Sequence, residues 1–202
     1  MPVLNQFGGG FEFLDARTNH RVGFGQKYKS GTNIAGGSQI SEGVCAGLTM
    51  AWLNRVRIRD DVMVLPDPVE GQILQYRYES MPSARNRDKI LPTLRQIMGM
   101  QVALLFFGED PSQFCDILQA DSERIGKTQK IKMYLLLLHQ DAGVGHAIGV
   151  AVVPDKLAFF DSNRGIYAYS FQAAFEQSAA IAQLMTFVRM YGGHRFNAHQ
   201  VM

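Results

Sequence analysis

The stretch SEGVCAGLTMAW, residues 41–52, determines how the rest of the chain is interpreted. Small and polar residues lead up to Cys45, and an apolar run follows it directly. The apolar residues of this region recur at helical spacing and predict one buried helix face: Val44, Leu48, Ala51, Trp52 and Val56. Because Ser41 can act as the N-cap and Glu42 suits the positive end of a helix, Cys45 is expected in the first turn.

The composition is that of a single domain with a sizeable core. The chain has 202 residues, of which 47% are hydrophobic and 19% are charged, and its formal net charge is +2. That length suits one domain, or one domain with a tail. The basic residues are scattered, apart from short clusters at residues 55–60 and 83–89. The charge pattern therefore argues against nucleic acid as the main partner.

The cysteines and the apolar runs argue against several other classes. Cys45 and Cys115 are too few for a disulfide framework, and no CxxC pair or histidine-rich tract indicates a metal or a cofactor. Apolar runs such as residues 134–138 and 147–153 are too short to span a bilayer, so membrane association is not indicated. Residues 1–10 have no basic segment followed by an apolar core, so no Sec-type signal peptide is expected. The expected compartment is a reducing cytoplasm, that of its own cell or of another.

The middle of the chain predicts further helices. The segments from about Val69 to Glu79 and from about Asp88 to Phe107 have mixed helical patterns, and the second is interrupted near Pro92. Pro111 begins another predicted helix, PSQFCDILQADSERI. Cys115 lies in the middle of that helix beside apolar residues, so we interpret it as structural.

The last third of the chain changes to the period of strands. KMYLLLLHQ, GHAIGVAVV, KLAFFD, GIYAYS and RFNAHQV each predict one strand. Two helices are expected before the last strand, the first capped by Ser170 and the second from Ile181 to Tyr191. Helices followed by an antiparallel sheet form an α+β arrangement. Residues 1–35 are rich in glycine and predict an N-terminal arm, and residues 36–202 predict the folded domain.

Cys45 is the candidate nucleophile, because the positive end of a helix favours the thiolate form of a cysteine. A nucleophilic cysteine also needs a base, usually a histidine. Five histidines compete for this role: His20, His139, His146, His194 and His199. His146 is preferred, since it opens an alternating strand and follows a glycine that lets a substrate backbone approach closely.

Asp161 is the candidate residue that orients this histidine. A hairpin that turns near Pro154 and Asp155 sets His146 opposite about residue 163, with Asp161 two residues away on the same face. Such diagonal neighbours are roughly 7 Å apart, within reach of a side-chain hydrogen bond, although a slip of one residue would separate them. Gln39, in the loop before the helix, could bind a developing oxyanion together with the N–H of Cys45.

The chain resembles a known family in its most specific residues. A glutamine six residues before a helix-capping cysteine resembles the papain-like proteases. The blocks GVCAGLTMAW, GHAIGV and FFDSNRG, in this order, resemble the YopT/AvrPphB family of bacterial effector cysteine proteases over about residues 36–200. The resemblance implies a papain-like α+β fold, in which a helical part with the catalytic cysteine at a helix N-terminus packs on a C-terminal antiparallel sheet. It also implies a catalytic triad of Cys45, His146 and Asp161, which needs no metal or organic cofactor.

The same resemblance implies a biological role. It implies a secreted virulence effector that lacks a Sec-type signal and is delivered into the host cytoplasm by a dedicated secretion system. There the protein would act as an endopeptidase on a host protein. Small GTPases and protein kinases are substrate classes of that family, and the sequence does not choose between them.

Two other functions remain open at this stage. The same triad supports a glutamine deamidase or a transglutaminase, which attacks a side-chain amide. A catalytically dead papain-like fold would only bind a partner, although all three residue types are present. Each residue also has a structural explanation, with Cys45 and His146 as core residues, Asp161 as a turn former and Gln39 as a loop amide.

Overall fold

A computed structural model of the chain describes residues 11–15, 45–59, 61–80, 87–108, 110–128, 131–139, 145–190 and 195–202. The helices in these ranges are α1 (Cys45–Arg59), α2 (Pro68–Ser80), α3 (Arg87–Met98), α4 (Ser112–Thr128) and α5 (Ala174–Met190). The strands are β1 (Phe11–Asp15), β2 (Val102–Gly108), β3 (Lys132–His139), β4 (His146–Val153), β5 (Lys156–Asp161), β6 (Gly165–Ser170) and β7 (Arg195–Val201). None of the helices so described is long and apolar enough to cross a membrane.

The seven strands form one antiparallel sheet with apolar layers on both faces. Their order is β1-β6-β5-β4-β3-β7-β2. Alternate residues of a strand point to opposite faces, and those of β3 enter two different clusters. Met133, Leu135 and Leu137 pack with α1 and α3, whereas Tyr134, Leu136 and Leu138 pack with α4 and α5. Burial on both faces explains why the centre of β3 is a continuous apolar run.

Helix α1 is the central helix of the fold and is buried along most of its length. It packs on β4 through Trp52, whose ring lies where a side chain on Gly149 would stand. A Cβ atom at Gly149 would approach Trp52 to 2.6 Å, so only glycine allows this contact. The Trp52 ring also stacks on Phe160 of β5, with 5.8 Å between the ring centroids. These contacts fix α1 along the middle of the sheet.

Residues 102–108 form a strand. The prediction of a mixed helix from about Asp88 to Phe107 is therefore wrong in its second half, and α3 ends at Met98. The sequence VALLFFG is short, apolar and partly aromatic, and such runs fit a helix or a strand equally well by period. Pairing with β7 decides the outcome, because β2 gains its backbone partners from that strand.

A single helix, α5, connects β6 to β7. The prediction of two helices is wrong here, since no glycine or proline interrupts the sequence between Ala174 and Met190. Ser170 ends β6 and does not cap the helix. The carboxylate of Glu176 instead accepts the N–H of Gln172 at 2.7 Å and that of Ala173 at 3.2 Å.

The predicted strands of the last third are confirmed, and so is the α+β class. One part of the N-terminal arm joins the sheet, where Phe11–Asp15 pairs with β6 as an edge strand. The rest of the arm, and the proposed N-cap Ser41, lie outside the described residues.

Candidate active site

The N-terminus of α1 lies at the end of the sheet where β4 begins. Thr49 of α1 donates a hydrogen bond to the carbonyl of Ala147 at 3.3 Å, and one turn later Trp52 meets Gly149. The helix and the strand therefore run side by side in register. Cys45 is the first residue of α1 and is half-buried, so it lies at the end of β4 that carries His146.

His146 and Asp161 are in direct contact. The pairing of β4 with β5 sets Ile148 opposite Asp161, which is the register that the hairpin argument requires. The Nε2 atom of His146 lies 3.1 Å from Oδ1 of Asp161, and both side chains are buried. The two residues thus form a hydrogen-bonded pair across neighbouring strands.

A tight turn holds the carboxylate of Asp161 in place. The N–H of Asn163 donates to Oδ1 of Asp161 at 2.9 Å, and the N–H of Arg164 donates to its carbonyl at 3.0 Å. Gly165 completes the turn with a φ of 142°, a conformation that favours glycine. Asp161 is therefore both the turn former and the partner of His146, so the structural and the functional explanations of this residue hold together.

The surroundings of His146 favour its protonated form. Burial alone lowers the pKa of this imidazole, but hydrogen bonds to Asp161 and Cys45, and the charges of both groups, outweigh that effect. The net result raises the pKa of His146 from 6.5 to about 9. A thiol and a carboxylate therefore both act on one imidazole, and the arrangement can hold an imidazolium between two acidic groups.

Helix α2 brings further polar groups to Cys45, which the sequence did not indicate. The side-chain oxygen of Gln75 accepts the N–H of Gly47 at 2.7 Å, at the first turn of α1. The pKa of Tyr78 is raised by burial and further by the nearby Cys45 and Glu79. No short-range pattern could have found these residues, because 28 positions separate Gly47 from Gln75.

Of the other candidates from the sequence, some lie elsewhere in the described structure and the rest fall on undescribed residues. Gln39, His20 and His194 lie outside the described residues. His199 is fully buried in β7, where burial and then the neighbouring His139 lower its pKa to about 4. Cys115 is half-buried on α4, and its pKa is raised first by burial.

The described ranges hold no group of three or more histidine, cysteine, aspartate or glutamate side chains arranged to bind a metal. The candidate site has a thiol, an imidazole and a carboxylate. This set of groups can carry out nucleophilic attack and proton transfer.

Comparison with known proteins gives one informative likeness. No protein-family profile and no curated protein matches the chain. The crystal structure of the Pseudomonas avirulence protein AvrPphB matches over 79% of this chain and 91% of its own, with 16% identity and a TM-score of 0.50. At that identity the match concerns the fold. The chain is therefore similar in fold to AvrPphB, and the papain-like α+β architecture that its three sequence blocks predicted is confirmed.

Proposed function

We propose that this chain is a papain-like cysteine endopeptidase in which Cys45 attacks the substrate, His146 transfers protons and Asp161 orients His146. One observation carries the proposal: the imidazole of His146 is hydrogen-bonded to Asp161 at 3.1 Å at the end of β4 beside which α1 begins with Cys45. The likeness in fold to AvrPphB supports it.

The first half of the reaction forms an acyl-enzyme. The thiolate sulfur of Cys45 attacks the scissile carbonyl carbon, and the carbonyl oxygen takes up the negative charge. The N–H of Cys45 at the helix terminus stabilises that oxyanion, together with the amide of Gln39 as a second donor in this proposal. His146 donates its proton to the leaving nitrogen, the C–N bond breaks, and a thioester remains.

In this proposal the two ring nitrogens of His146 have different tasks. Because Nε2 is engaged by Asp161, Nδ1 is the ring atom left to exchange protons with the thiol and the leaving amine. Asp161 keeps the ring in that orientation and stabilises the imidazolium.

The second half of the reaction releases the acid. The neutral imidazole of His146 accepts a proton from water while the water oxygen attacks the thioester carbon. The tetrahedral intermediate then breaks its C–S bond, and the thiolate and imidazolium are restored. The step consumes one water molecule, and no atom changes its oxidation state.

The proposal includes a biological setting. The chain is a virulence effector, secreted without a Sec-type signal and active on a protein inside a host cell. The resemblance of its three blocks to effector proteases and its likeness in fold to an avirulence protein support this setting. The substrate class, a small GTPase or a protein kinase by that resemblance, is the next question for experiment.

Proteome-derived peptides, incubated with the protein and read by mass spectrometry, test the activity. New peptide termini should appear with the wild type and the C115A variant and be lost with C45A, since Cys115 takes no part. Ammonia release from glutamine peptides that depends on Cys45, without chain cleavage, would replace this proposal with a deamidase. The absence of both reactions, with Cys45 alkylated no faster than Cys115, would refute catalysis and favour a binding module.

A further inference from the structure

We propose that Gln75 is a positioning residue for Cys45, which it holds in place through the N–H of Gly47. The proposal rests on the proposed function only in naming Cys45 as the nucleophile. Gln75 belongs to α2 and does not touch the reacting atoms in this account. It acts on the first turn of α1, from which the thiol projects.

The hydrogen bond occupies a position where a helix needs a partner. The first four N–H groups of an α-helix have no acceptor within the helix, and a side chain just before the helix usually supplies one. In α1 the N–H of Gly47 has an acceptor from another helix, the buried side chain of Gln75, whose oxygen lies 2.7 Å from the nitrogen of Gly47.

The backbone around this bond is closely packed and leaves little freedom. A Cβ atom at Gly47 would lie 2.0 Å from the carbonyl oxygen of Gly71 and 2.6 Å from the backbone nitrogen of Gln75. A Cβ atom at Gly71 would likewise lie 2.5 Å from Leu48. Two glycines thus let α1 and α2 touch at the first turn of α1.

The rest of α2 is fixed to α1 at other points. The side chain of Asn54 donates to Glu70 at 2.8 Å, and Arg55 pairs with Asp67 at 3.3 Å. These contacts lie farther along α1 than Gly47 and secure the start of α2. The bond from Gly47 to Gln75 is therefore one of several contacts along two antiparallel helices.

Glu79 determines which way the amide of Gln75 faces. The Nε2 group of Gln75 donates to Oε1 of Glu79 one turn later on α2. This bond directs the oxygen of Gln75, and not its NH₂ group, toward Gly47. The other carboxylate oxygen of Glu79 is buried and has no hydrogen-bond partner in the described part of the chain.

The consequence for Cys45 follows from helix geometry. The N–H groups of Cys45 and Ala46 also lack partners within the helix, and their directions are set by the same turn. If Gln75 releases Gly47, the turn can fray, and the helix dipole and the N–H donors lose their fixed alignment with the thiol. We expect the reactivity of Cys45 to fall before the fold itself is lost.

The test compares Gln75→Met with Gln72→Met, a matched change on a part of α2 where no such bond exists among the described contacts. The ¹H–¹⁵N signal of Gly47 reports the hydrogen bond, and iodoacetamide labelling of Cys45 between pH 5 and 9 reports the thiolate. In Q75M the Gly47 signal should move, labelling at pH 6 should slow by about three- to tenfold, and the pH profile should shift upward. In Q72M neither should change.

Several outcomes would overturn the inference. An unmoved Gly47 signal in Q75M would mean that the hydrogen bond does not exist in solution. A moved signal with wild-type labelling would make Gln75 merely structural. If Q75M does not fold, Glu79→Ala still frees the amide of Gln75, and a moved Gly47 signal with wild-type labelling in that variant would overturn the proposal. These readouts need no substrate. If Cys45 of the wild type is labelled fast but the protein cleaves no peptide, the proposed function is refuted and the positioning role of Gln75 is not.

Discussion

Thr49 and Ala147 join the helix that carries the candidate nucleophile to the strand that carries the candidate base. The Thr49 hydroxyl, fully buried, donates to the Ala147 carbonyl at 3.3 Å. Thr49 is one turn after Cys45, and Ala147 is next to His146. A buried hydrogen bond therefore connects the two elements beside both candidate catalytic side chains.

Replacing Thr49 with valine should weaken this connection while keeping the shape of the side chain. We expect a loss of about 1 kcal/mol in the free energy of unfolding, the usual contribution of one buried hydrogen bond. Urea denaturation measures it. The T186V change removes the exposed hydroxyl that bonds to Ala182 within α5, and it should cost less. Equal losses in the two variants would contradict a special role for Thr49.

The D161N variant should keep the turn but lose the charge beside His146. An asparagine oxygen can still accept the N–H of Asn163, so the fold should persist. We expect the labelling rate of Cys45 at pH 6 and the rate of peptide cleavage to fall by about 10- to 100-fold, the usual effect of losing a hydrogen bond to a charged group. D155N, at the exposed turn of the same hairpin, is the control. Undiminished rates in D161N would remove Asp161 from the mechanism.

The raised pKa of His146 predicts that the folded state loses stability as the pH rises above neutrality. The folded protein binds the imidazole proton up to about pH 9, whereas an unfolded histidine loses it near 6.5. This stabilisation, about 3 kcal/mol by linkage, should be complete below pH 6.5 and disappear as the pH rises through 9. Thermal unfolding of the wild type and H146Q from pH 6 to 10 measures it. A difference between the two that does not narrow toward pH 10 would contradict the raised pKa.

His199 should make the stability of the fold depend on pH on the acidic side. Its pKa is lowered to about 4 in the fold by burial and by His139, so the unfolded chain binds more protons between pH 6.5 and 4. Stability should therefore fall as the pH falls through this range, by up to about 3 kcal/mol. Both ring nitrogens lack hydrogen-bond partners in the described part of the chain, so His199→Leu should be tolerated at pH 7. The melting temperature of H199L should drop less between pH 7 and 4.5 than that of the wild type.

The pairing of His146 with Asp161 could be anticipated because it depends on local features. A turn at Pro154 and Asp155 fixes the register of a hairpin, and the period of a strand then decides which residues share a face. Likewise, the switch from helical to alternating periods was enough to predict the order of most elements and the α+β class.

Contacts between distant segments could not be anticipated in the same way. Residues 102–108 carry an apolar run with no clear period, and only their pairing with β7 makes them a strand. In the sequence, Gln75 is an ordinary amide on a predicted helix of mixed pattern, and its partner Gly47 is 28 residues away. Such contacts depend on how α1 and α2 pack, which no local pattern encodes.

The close contact at Gly47 and Gly71 also affects how a mutational scan of this protein should be read. A substitution at Gly47 would meet the backbone of α2 and force the two helices apart, whereas one at Gly71 would first displace the side chain of Leu48, so Gly47 should tolerate the fewest alternatives. Gly47 lies two residues from Cys45, and an assay that scores activity alone would assign it a chemical role. Measuring the abundance of each variant alongside its activity would separate a loss of folded protein from a loss of catalysis. Variants at Gly47 should be less abundant, whereas variants at Cys45 should accumulate normally and lose only activity.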